Sequence, residues 1–262
     1  DLHRLIRRQR QMCIRDRYAI VLTGAGISTE SGIPDFRSPG TGLWEMVDPV
    51  EFGSIEGFMR NQMDFFELAK QIAPTIFAAK PNKGHRALAK LEKMGLIKAI
   101  ITQNIDNLHQ RAHSKNVIEV HGNIRECYCM DCGRKFDIWV LAEKFFEKEE
   151  TIPRCDICGG VLRPNVVMFG EKLPEDALKA AFYHAQKCDL LIVVGSSLVV
   201  APINYLPAKA LANNAKLVII NWGAAAGTHY DSRATLVIRG KAGVILPKVL
   251  EKVKEKLGQQ SK

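Results

Sequence analysis

One stretch near the start of the chain joins a predicted buried strand to a turn that suits a phosphate. Residues 18–22 read Tyr-Ala-Ile-Val-Leu, and the turn Gly24-Ala25-Gly26 follows after one threonine. An apolar, β-branched run of this kind is typical of a strand inside a sheet. A glycine-rich turn after such a strand lets bare backbone approach a phosphate. The stretch therefore predicts an α/β sheet that binds a nucleotide where this strand ends.

The turn departs from the glycine fingerprint of hydride-transferring dehydrogenases. Its third glycine position holds Thr29, and no acidic residue ends a second strand about 20 residues later. Hydride transfer is therefore disfavoured, whereas nucleotide binding is retained.

The rest of the chain alternates between strand and helix patterns. Strands are predicted at 97–102, 117–120, 190–194, 216–221 and 236–238, with helices at 81–95, 174–188, 202–213 and from about 242. This alternation predicts an α/β fold with a doubly wound, mostly parallel, Rossmann-like sheet. A helical insert and a small zinc-ribbon insert interrupt it. The expected domains are a nucleotide-binding unit (1–40, 80–122 and 163–262), a helical module (41–79) and a zinc-binding module (123–162).

The composition is that of a folded protein with a sizeable core. The chain has 262 residues, of which 47% are hydrophobic, and a net charge of +9. A spread of surface lysines explains this charge better than an anionic partner does, so nucleic-acid binding is kept only as a minor hypothesis. The apolar runs are too short for a bilayer and no signal peptide is recognised, so we expect a cytoplasmic protein with no membrane partner. The pattern also predicts a leading helix at 2–17, and a monomer is expected.

Four of the seven cysteines form two Cys-x-x-Cys pairs, Cys129 with Cys132 and Cys155 with Cys158, separated by 22 residues. Each pair is a tight turn that presents two thiolates, and two such turns complete a tetrahedral zinc site with no position left for water. The pattern therefore predicts one structural Zn²⁺. Cys127 is a competing ligand, although the spacing favours Cys129.

Two polar groups follow predicted strands and so belong to the same sheet edge as the glycine turn. Gln103-Asn104-Ile105-Asp106 follows one strand, and His121 ends the next. Ligands of open α/β sheets bind at the carboxyl ends of the strands. A lone histidine is more often structural than catalytic, but these neighbours favour a general base at His121.

The chain also contains a set of longer motifs. They are Gly24 to Arg37, Lys80-Pro81-Asn82, Thr102 to Ala112, Val120-His121-Gly122, the two cysteine pairs, Arg163 to Glu171 and Val194 to Leu198. Together they resemble the sirtuins, the NAD-dependent protein deacylases, and most of all the prokaryotic branch of that family. The resemblance covers residues 18–250.

The resemblance implies NAD as a co-substrate. The loop from Gly24 to Arg37 would hold the pyrophosphate and nicotinamide, with Phe36 as a lid, and Asn221 would hold the adenosine ribose. The expected cofactor contacts are Gly24, Ala25, Gly26, Glu30, Asp35, Phe36, Arg37, Gln103, Asn104, Ile105, Asp106, Gly195, Ser196, Ser197 and Asn221.

The resemblance also implies a reaction. The carbonyl oxygen of an acyl-lysine would displace nicotinamide from the ribose, with His121 as the base and Asn104 and Asp106 as further catalytic residues. The products would be free lysine, nicotinamide and acyl-ADP-ribose. An acetyl-lysine peptide would pair as an added strand with Val166, Val167, Phe169, Gly170 and Glu171. Two alternatives stay open: a protein ADP-ribosyltransferase, and a module that binds NAD or ADP-ribose without turnover.

Several positions depart from the family pattern. His113 replaces a glycine at a predicted left-handed helix end, Ser38 replaces another glycine, and residues 222–226 replace a more polar stretch. Ala69 and Ile72 stand where sirtuins that prefer succinyl-lysine carry tyrosine and arginine. We therefore expect acetyl and other apolar acyl groups to be preferred over succinyl, with Lys70 turned to solvent.

Overall fold

The computed structural model describes residues 17–35, 38, 40, 42, 47–223 and 226–259. Its strands are β1 (Ala19–Thr23), β2 (Ile97–Thr102), β3 (Val117–Glu119), β4 (Gly122–Cys129), β5 (Lys135–Asp137), β6 (Leu162–Val166), β7 (Leu190–Val194), β8 (Lys216–Asn221) and β9 (Leu236–Arg239). Its α-helices are α1 (Pro49–Gly53), α2 (Ile55–Arg60), α3 (Gln62–Ala78), α4 (Lys83–Lys93), α5 (Leu108–Arg111), α6 (Ile138–Ala142), α7 (Glu175–Lys187), α8 (Leu206–Ala212) and α9 (Ala242–Gln259).

Six strands form a parallel sheet in the order β3-β2-β1-β7-β8-β9. Every residue of β1 is buried, because the strand has a neighbour on each side and helices over both faces. The order reverses at β1, as in doubly wound folds, so the predicted fold class is confirmed. The carboxyl ends of β1, β2, β7 and β8 meet at one edge.

Two apolar layers hold helices against the sheet. On one face, α4 and α9 pack through Leu88, Leu91 and Leu246 against Val21 and other strand residues. On the opposite face, α7 and α8 supply a second core that includes Ala181, Leu206 and Ala210. Full burial of each large aliphatic side chain contributes roughly 1.5–3 kcal/mol.

The helical segment and the cysteine-bearing segment share a third core. Phe58 and Phe66 from α2 and α3 pack with Ile138, Leu141 and Phe145 from the other segment. Asp48, Ser54 and Asn61 accept backbone N–H bonds at the starts of α1, α2 and α3, which explains why the chain is divided into three helices there.

A small antiparallel sheet, ordered β5-β4-β6, carries the cysteines. Its strand β6 begins where the predicted zinc-binding module ends, so the sheet reaches beyond the interval expected from the sequence. β4 runs as one strand from Gly122, beside His121, to Cys129.

Several local predictions are confirmed. The strands at 97–102, 190–194 and 216–221 have the predicted bounds. Gly95, with φ +76°, follows α4, and His113 has φ +72° in the left-handed region expected at that helix end. The leading helix predicted at 2–17 lies outside the described residues, except for its last residue. Within the described part of the chain, no helix has the length and hydrophobicity to cross a membrane.

Candidate active site at the carboxyl edge of the sheet

Two glycine turns interlock at the sheet edge. The amide of Gly24 donates to Val194 O at 3.0 Å, and that of Gly26 donates to Gly195 O at 2.9 Å. A Cβ on Gly24 would lie 2.7 Å from Gly195 O, and one on Gly195, whose φ is +64°, would lie 2.4 Å from the Ile27 amide nitrogen. Only glycine permits this approach. The two turns thus present backbone side by side, as a phosphate-binding edge requires.

A buried polar cluster lies directly behind the first turn. Ser28 Oγ donates to Asp106 Oδ2 at 2.6 Å, and Asn104 Nδ2 donates to Gly24 O and Ser28 Oγ, both at 3.1 Å. The Leu108 amide donates to Asp106 Oδ1 at 2.9 Å. Burial raises the pKa of the Asp106 carboxyl, while the bonds from Ser28 and Leu108 act in the opposite direction. The structure therefore brings Asn104 and Asp106 together against the turn, as the sequence predicts.

His121 is held by a backbone carbonyl. Its Nδ1 lies 3.0 Å from Gln103 O, and a carbonyl oxygen only accepts, so Nδ1 carries the proton. The other ring nitrogen, Nε2, is then the basic atom of the neutral ring. Burial lowers the pKa of His121, with the Gln103 bond opposing this, so the ring is neutral at pH 7. A neutral imidazole with a fixed tautomer is the form that a general base needs.

Gln103 joins the His121 side of the edge to the second glycine turn. Its side-chain Nε2 donates to Ser196 Oγ at 2.9 Å, and its backbone amide donates to Thr23 O at 3.0 Å. Asn221 Oδ1 accepts from the Ser196 amide at 3.1 Å, and Asn221 Nδ2 donates to Ser196 O at 2.9 Å and Ala226 O at 3.1 Å. Both Nδ2 protons of Asn221 are thus used within the protein, so this side chain fixes the turn that carries Ser196.

The other predicted cofactor contacts are less concentrated at the edge. Glu30 Oε2 accepts from the Gly243 amide at 2.6 Å and so caps the start of α9. The Asp35 carboxylate accepts from the Ser38 amide at 2.7 Å and from Ser38 Oγ at 2.5 Å. Ser197 is partly buried next to Ser196. Phe36 and Arg37 lie outside the described residues.

The residues predicted to bind a peptide, Val166 to Glu171, are called the substrate segment here. Val166 pairs with Gly122, and the Val167 amide donates to His121 O at 2.9 Å. Further along, the Phe169 amide donates to Gly53 O and Phe169 O accepts from the Ile55 amide, both at 2.9 Å. The segment therefore connects the histidine to the helical insert. Glu171 is not free for a peptide, because Arg163 and the Met168 amide occupy its carboxylate.

The four cysteines predicted to bind zinc do cluster. The Sγ atoms of Cys129, Cys132, Cys155 and Cys158 all lie within 4.8 Å of one another. Gly133 and Gly159, with φ +68° and +76°, let each pair turn tightly. Four thiolates at this separation fit one tetrahedral Zn²⁺ and leave no open position. The competing Cys127 instead donates to Asp137 O at 3.4 Å, and burial raises the pKa of its thiol to about 11.

An apolar cavity of about 140 Å³ lies between α3 and the cysteine-bearing segment. Ile105 and Val166 place it next to the sheet edge, and its wall includes Ala69 and Ile72. Its lining is wholly uncharged: Phe65, Phe66, Leu68, Ala69, Ile72, Ala73, Ile76, Phe77, Ile105, Ile124, Ile138, Leu141, Ala142, Phe145, Phe146, Pro164 and Val166. Lys70 is exposed, as expected.

The structure also shows residues that support the first glycine turn and the end of β1, roles that the sequence does not indicate. Asn82 Nδ2 donates to Ile27 O at 2.7 Å and Ser31 Oγ at 3.0 Å, which ties the start of α4 to the first turn. His109 Nε2 lies 3.0 Å from Thr23 Oγ1, and its ring packs against the fully buried His85 with centroids 4.9 Å apart. Asn82 and His109 belong to the family-like motifs at 80–82 and 102–112.

Comparison with known proteins agrees with this geometry. The Sir2 family model matches residues 24–202. NAD-dependent protein deacetylase 2 of Caldanaerobacter subterraneus subsp. tengcongensis is 48% identical over 254 residues, covering 97% of this chain and 98% of the relative. NAD-dependent protein deacylase 2 of Archaeoglobus fulgidus is 47% identical over 250 residues, covering 95% and 96%.

Solved structures share the fold of this chain. A Sir2 protein with a deacetylated p53 peptide and 3′-O-acetyl-ADP-ribose superposes with a TM-score of 0.85 at 42% identity, covering 93% of this chain and 97% of the solved one. A Sir2 protein bound to a propionylated peptide gives a TM-score of 0.82 at 41% identity, covering 94% and 98%. By its sequence and its fold alike, the chain belongs to the Sir2 family, the sirtuins.

Proposed function

We propose that this protein removes acetyl and other apolar acyl groups from protein lysines while consuming NAD, with release of nicotinamide, acyl-ADP-ribose and free lysine. The observation that carries the proposal is the position of His121. Its ring is bonded to Gln103 O at 3.0 Å, and its own carbonyl accepts from the Val167 amide at 2.9 Å. One residue thus joins the predicted cofactor edge to the substrate segment.

The residues at the edge fit NAD. The interlocked turns at Gly24 and Gly195 suit the pyrophosphate, and the amides of Asn104 and Gln103 with the Asp106 carboxylate suit the ribose and carboxamide. When bound, NAD supplies an electrophilic ribose carbon with nicotinamide as the leaving group. Asn221 and Asn82 would act on NAD indirectly, because their side chains hold the two glycine turns in place.

His121 would supply the base. With Nδ1 bonded to Gln103 O, its Nε2 is the atom that takes a proton from a ribose hydroxyl. Asn104 and Asp106 would orient that ribose from the buried side. Their bonds to Ser28, Gly24 O and the Leu108 amide fix both side chains in place, and the acceptors Asn104 Oδ1 and the Asp106 carboxylate would face the ribose hydroxyls.

The apolar cavity supports the acyl preference. An alkyl tail placed between α3 and α6 would meet only apolar walls, and each buried methylene contributes about 0.8 kcal/mol. A terminal carboxylate would find no cation among the lining residues. Acetyl, propionyl and longer apolar groups are therefore preferred over succinyl.

The zinc site would be structural, and it belongs to a division of the chain that we also propose. Four thiolates leave no coordination position for substrate, and β4 separates Cys129 from His121. The nucleotide-binding unit would comprise residues 1–40, 80–122 and 163–262, the helical module 41–79 and the zinc-binding module 123–162. A cytoplasmic, monomeric protein that does not bind nucleic acid stays a prediction.

Incubation with NAD and an acetyl-lysine peptide, followed by mass analysis, tests the function. Deacylase activity yields a peptide lighter by one acetyl group together with acetyl-ADP-ribose. A peptide heavier by one ADP-ribose would instead favour a transferase, and an unchanged peptide would favour a binding module. A reaction without NAD and an unmodified lysine peptide serve as controls.

A further inference from the structure

A charged side chain is enclosed beneath the substrate segment. Arg163, in β6, is only 1% exposed. Its Nη1 donates to Glu171 Oε1 at 3.0 Å and its Nη2 donates to Glu171 Oε2 at 2.8 Å. This two-pronged pairing fixes both the distance and the plane of the two groups. Arg163 is enclosed while the Glu171 side chain is 23% exposed, and such a pair is weak as a source of stability, so its geometry points to another use.

The same pair holds the backbone of the substrate segment. Arg163 Nη2 also donates to Val166 O at 2.7 Å, and Glu171 Oε2 also accepts from the Met168 amide at 2.8 Å. The ion pair, whose carboxylate belongs to the last residue of the segment, therefore also binds the backbone of the first and third residues. Loss of either charge would remove these hydrogen bonds and allow the backbone of the whole segment to move.

The pair also contacts the parts of the protein that meet at the site. The Arg163 guanidinium lies 5.5 Å from the centre of the Phe58 ring in α2 and 5.3 Å from that of Tyr128 in β4. Val167 lies between the two residues whose backbone bonds the pair, and its amide donates to His121 O at 2.9 Å. The peptide group between Val166 and Val167 is therefore bonded to Arg163 through its carbonyl and to the backbone of His121 through its amide.

We propose that Arg163 and Glu171 are positioning residues that hold the substrate segment in the register needed to add a peptide strand beside His121. This inference rests on the proposed function, because it assumes that the acyl-lysine peptide pairs with this segment. Strand addition relies on backbone hydrogen bonds, so a shift of the segment weakens peptide binding without touching the NAD edge. Glu171 then acts on the peptide through the segment and not by contact.

Two variants test the pair. Glu171→Gln removes the charge and keeps the shape, and Arg163→Lys keeps the charge but loses the planar fork. We expect each to weaken binding of a fluorescent acetyl-lysine peptide, and to raise its KM, by about 10- to 100-fold, since small misplacements have effects of that size. The KM for NAD and the zinc content should stay close to wild type, whereas the Tm should fall, because each variant weakens a pair whose arginine is enclosed. Lys148→Gln, which breaks the exposed pair with Glu143 (2.8 Å), is the matched control.

A direct measurement of peptide binding distinguishes failure of the proposed deacylase function from failure of the positioning role of Arg163 and Glu171. If the wild-type protein binds the peptide without deacylating it, the proposed function fails while the variants' affinities still judge the pair. Unchanged peptide affinity in both variants would overturn the inference. So would a parallel loss of peptide affinity, NAD affinity and zinc, because that pattern indicates a merely structural pair. If a variant does not fold, Glu171→Asp, which keeps the charge on a shorter side chain, is scored in the same way.

Discussion

Replacing an acetyl group by a succinyl group should lower turnover strongly, because of the cavity beside Ile105. None of the residues that line this cavity is charged, and Lys70, the single basic residue of α3, is exposed. Burying an unpaired carboxylate costs several kcal/mol, and about 3 kcal/mol corresponds to roughly a 150-fold loss in kcat/KM. A propionyl group adds one methylene, which is worth about 0.8 kcal/mol or roughly a fourfold gain if it is fully buried.

The assay uses one peptide sequence with acetyl, propionyl, butyryl or succinyl on the same lysine. The kcat/KM should stay high for the three neutral groups and fall at least about 100-fold for succinyl. Installing the missing pair, Ala69→Tyr with Ile72→Arg, should raise succinyl turnover, because the arginine offers the carboxylate a bidentate partner. Ile72→Leu keeps the wall apolar and is the control. Equal or higher kcat/KM for succinyl in the wild-type protein would refute the reasoning.

Three further predictions concern stability. Cys155→Ala leaves three zinc ligands, so metal content and Tm should fall together; zinc-free protein with an unchanged Tm would contradict a structural site. His113→Gly removes the cost of a left-handed residue at φ +72°, so it should stabilise the protein by about 1 kcal/mol in denaturant unfolding; no gain would mean that the ring makes compensating contacts. Burial lowers the pKa of His85 to about 4, so the folded state binds fewer protons than the unfolded state and the free energy of unfolding should fall as the pH drops from 6.5 towards 4. The buried His109, whose pKa is lowered by burial and by the adjacent His85, contributes in the same direction. His85→Phe should therefore reduce the slope without abolishing it, and an equally steep profile in the variant would assign the dependence to other groups.

The sequence predicted the parts of the molecule that local patterns encode. The strands ending at Val194 and Asn221 are runs of apolar, β-branched residues, and their bounds are confirmed. Alternation of strands and helices then implies a parallel sheet, which brings Gly24, Gln103 and Gly195 to one edge. The zinc ligands could be predicted equally well from the sequence, because a Cys-x-x-Cys turn sets its own geometry.

Pairings between distant residues could not be predicted in the same way. Glu30 was expected to contact the cofactor, yet its carboxylate caps α9 through Gly243, which lies 213 residues further along the chain. Arg163 was quoted within a motif without a role, since nothing in its neighbourhood indicates that it is enclosed and paired with Glu171. Asn221 is predicted to hold a ribose, and the sequence does not indicate that its side chain also makes three hydrogen bonds within the protein. Such contacts depend on tertiary packing and leave no periodic pattern.

Deacylation by His121→Ala tests the central claim most directly, because the whole site is organised around that ring. Wild type, His121→Ala and the control His184→Ala, whose ring bonds Tyr18 OH at 2.8 Å at the opposite end of β1, are compared with an acetyl-lysine peptide. The variant should lose at least about 100-fold in kcat while still binding NAD, since a positioned base contributes that much. In the wild type, activity should fall only below pH 6.5, because burial lowers the pKa of His121 and protonation removes the base. Near-normal turnover by His121→Ala would contradict the account.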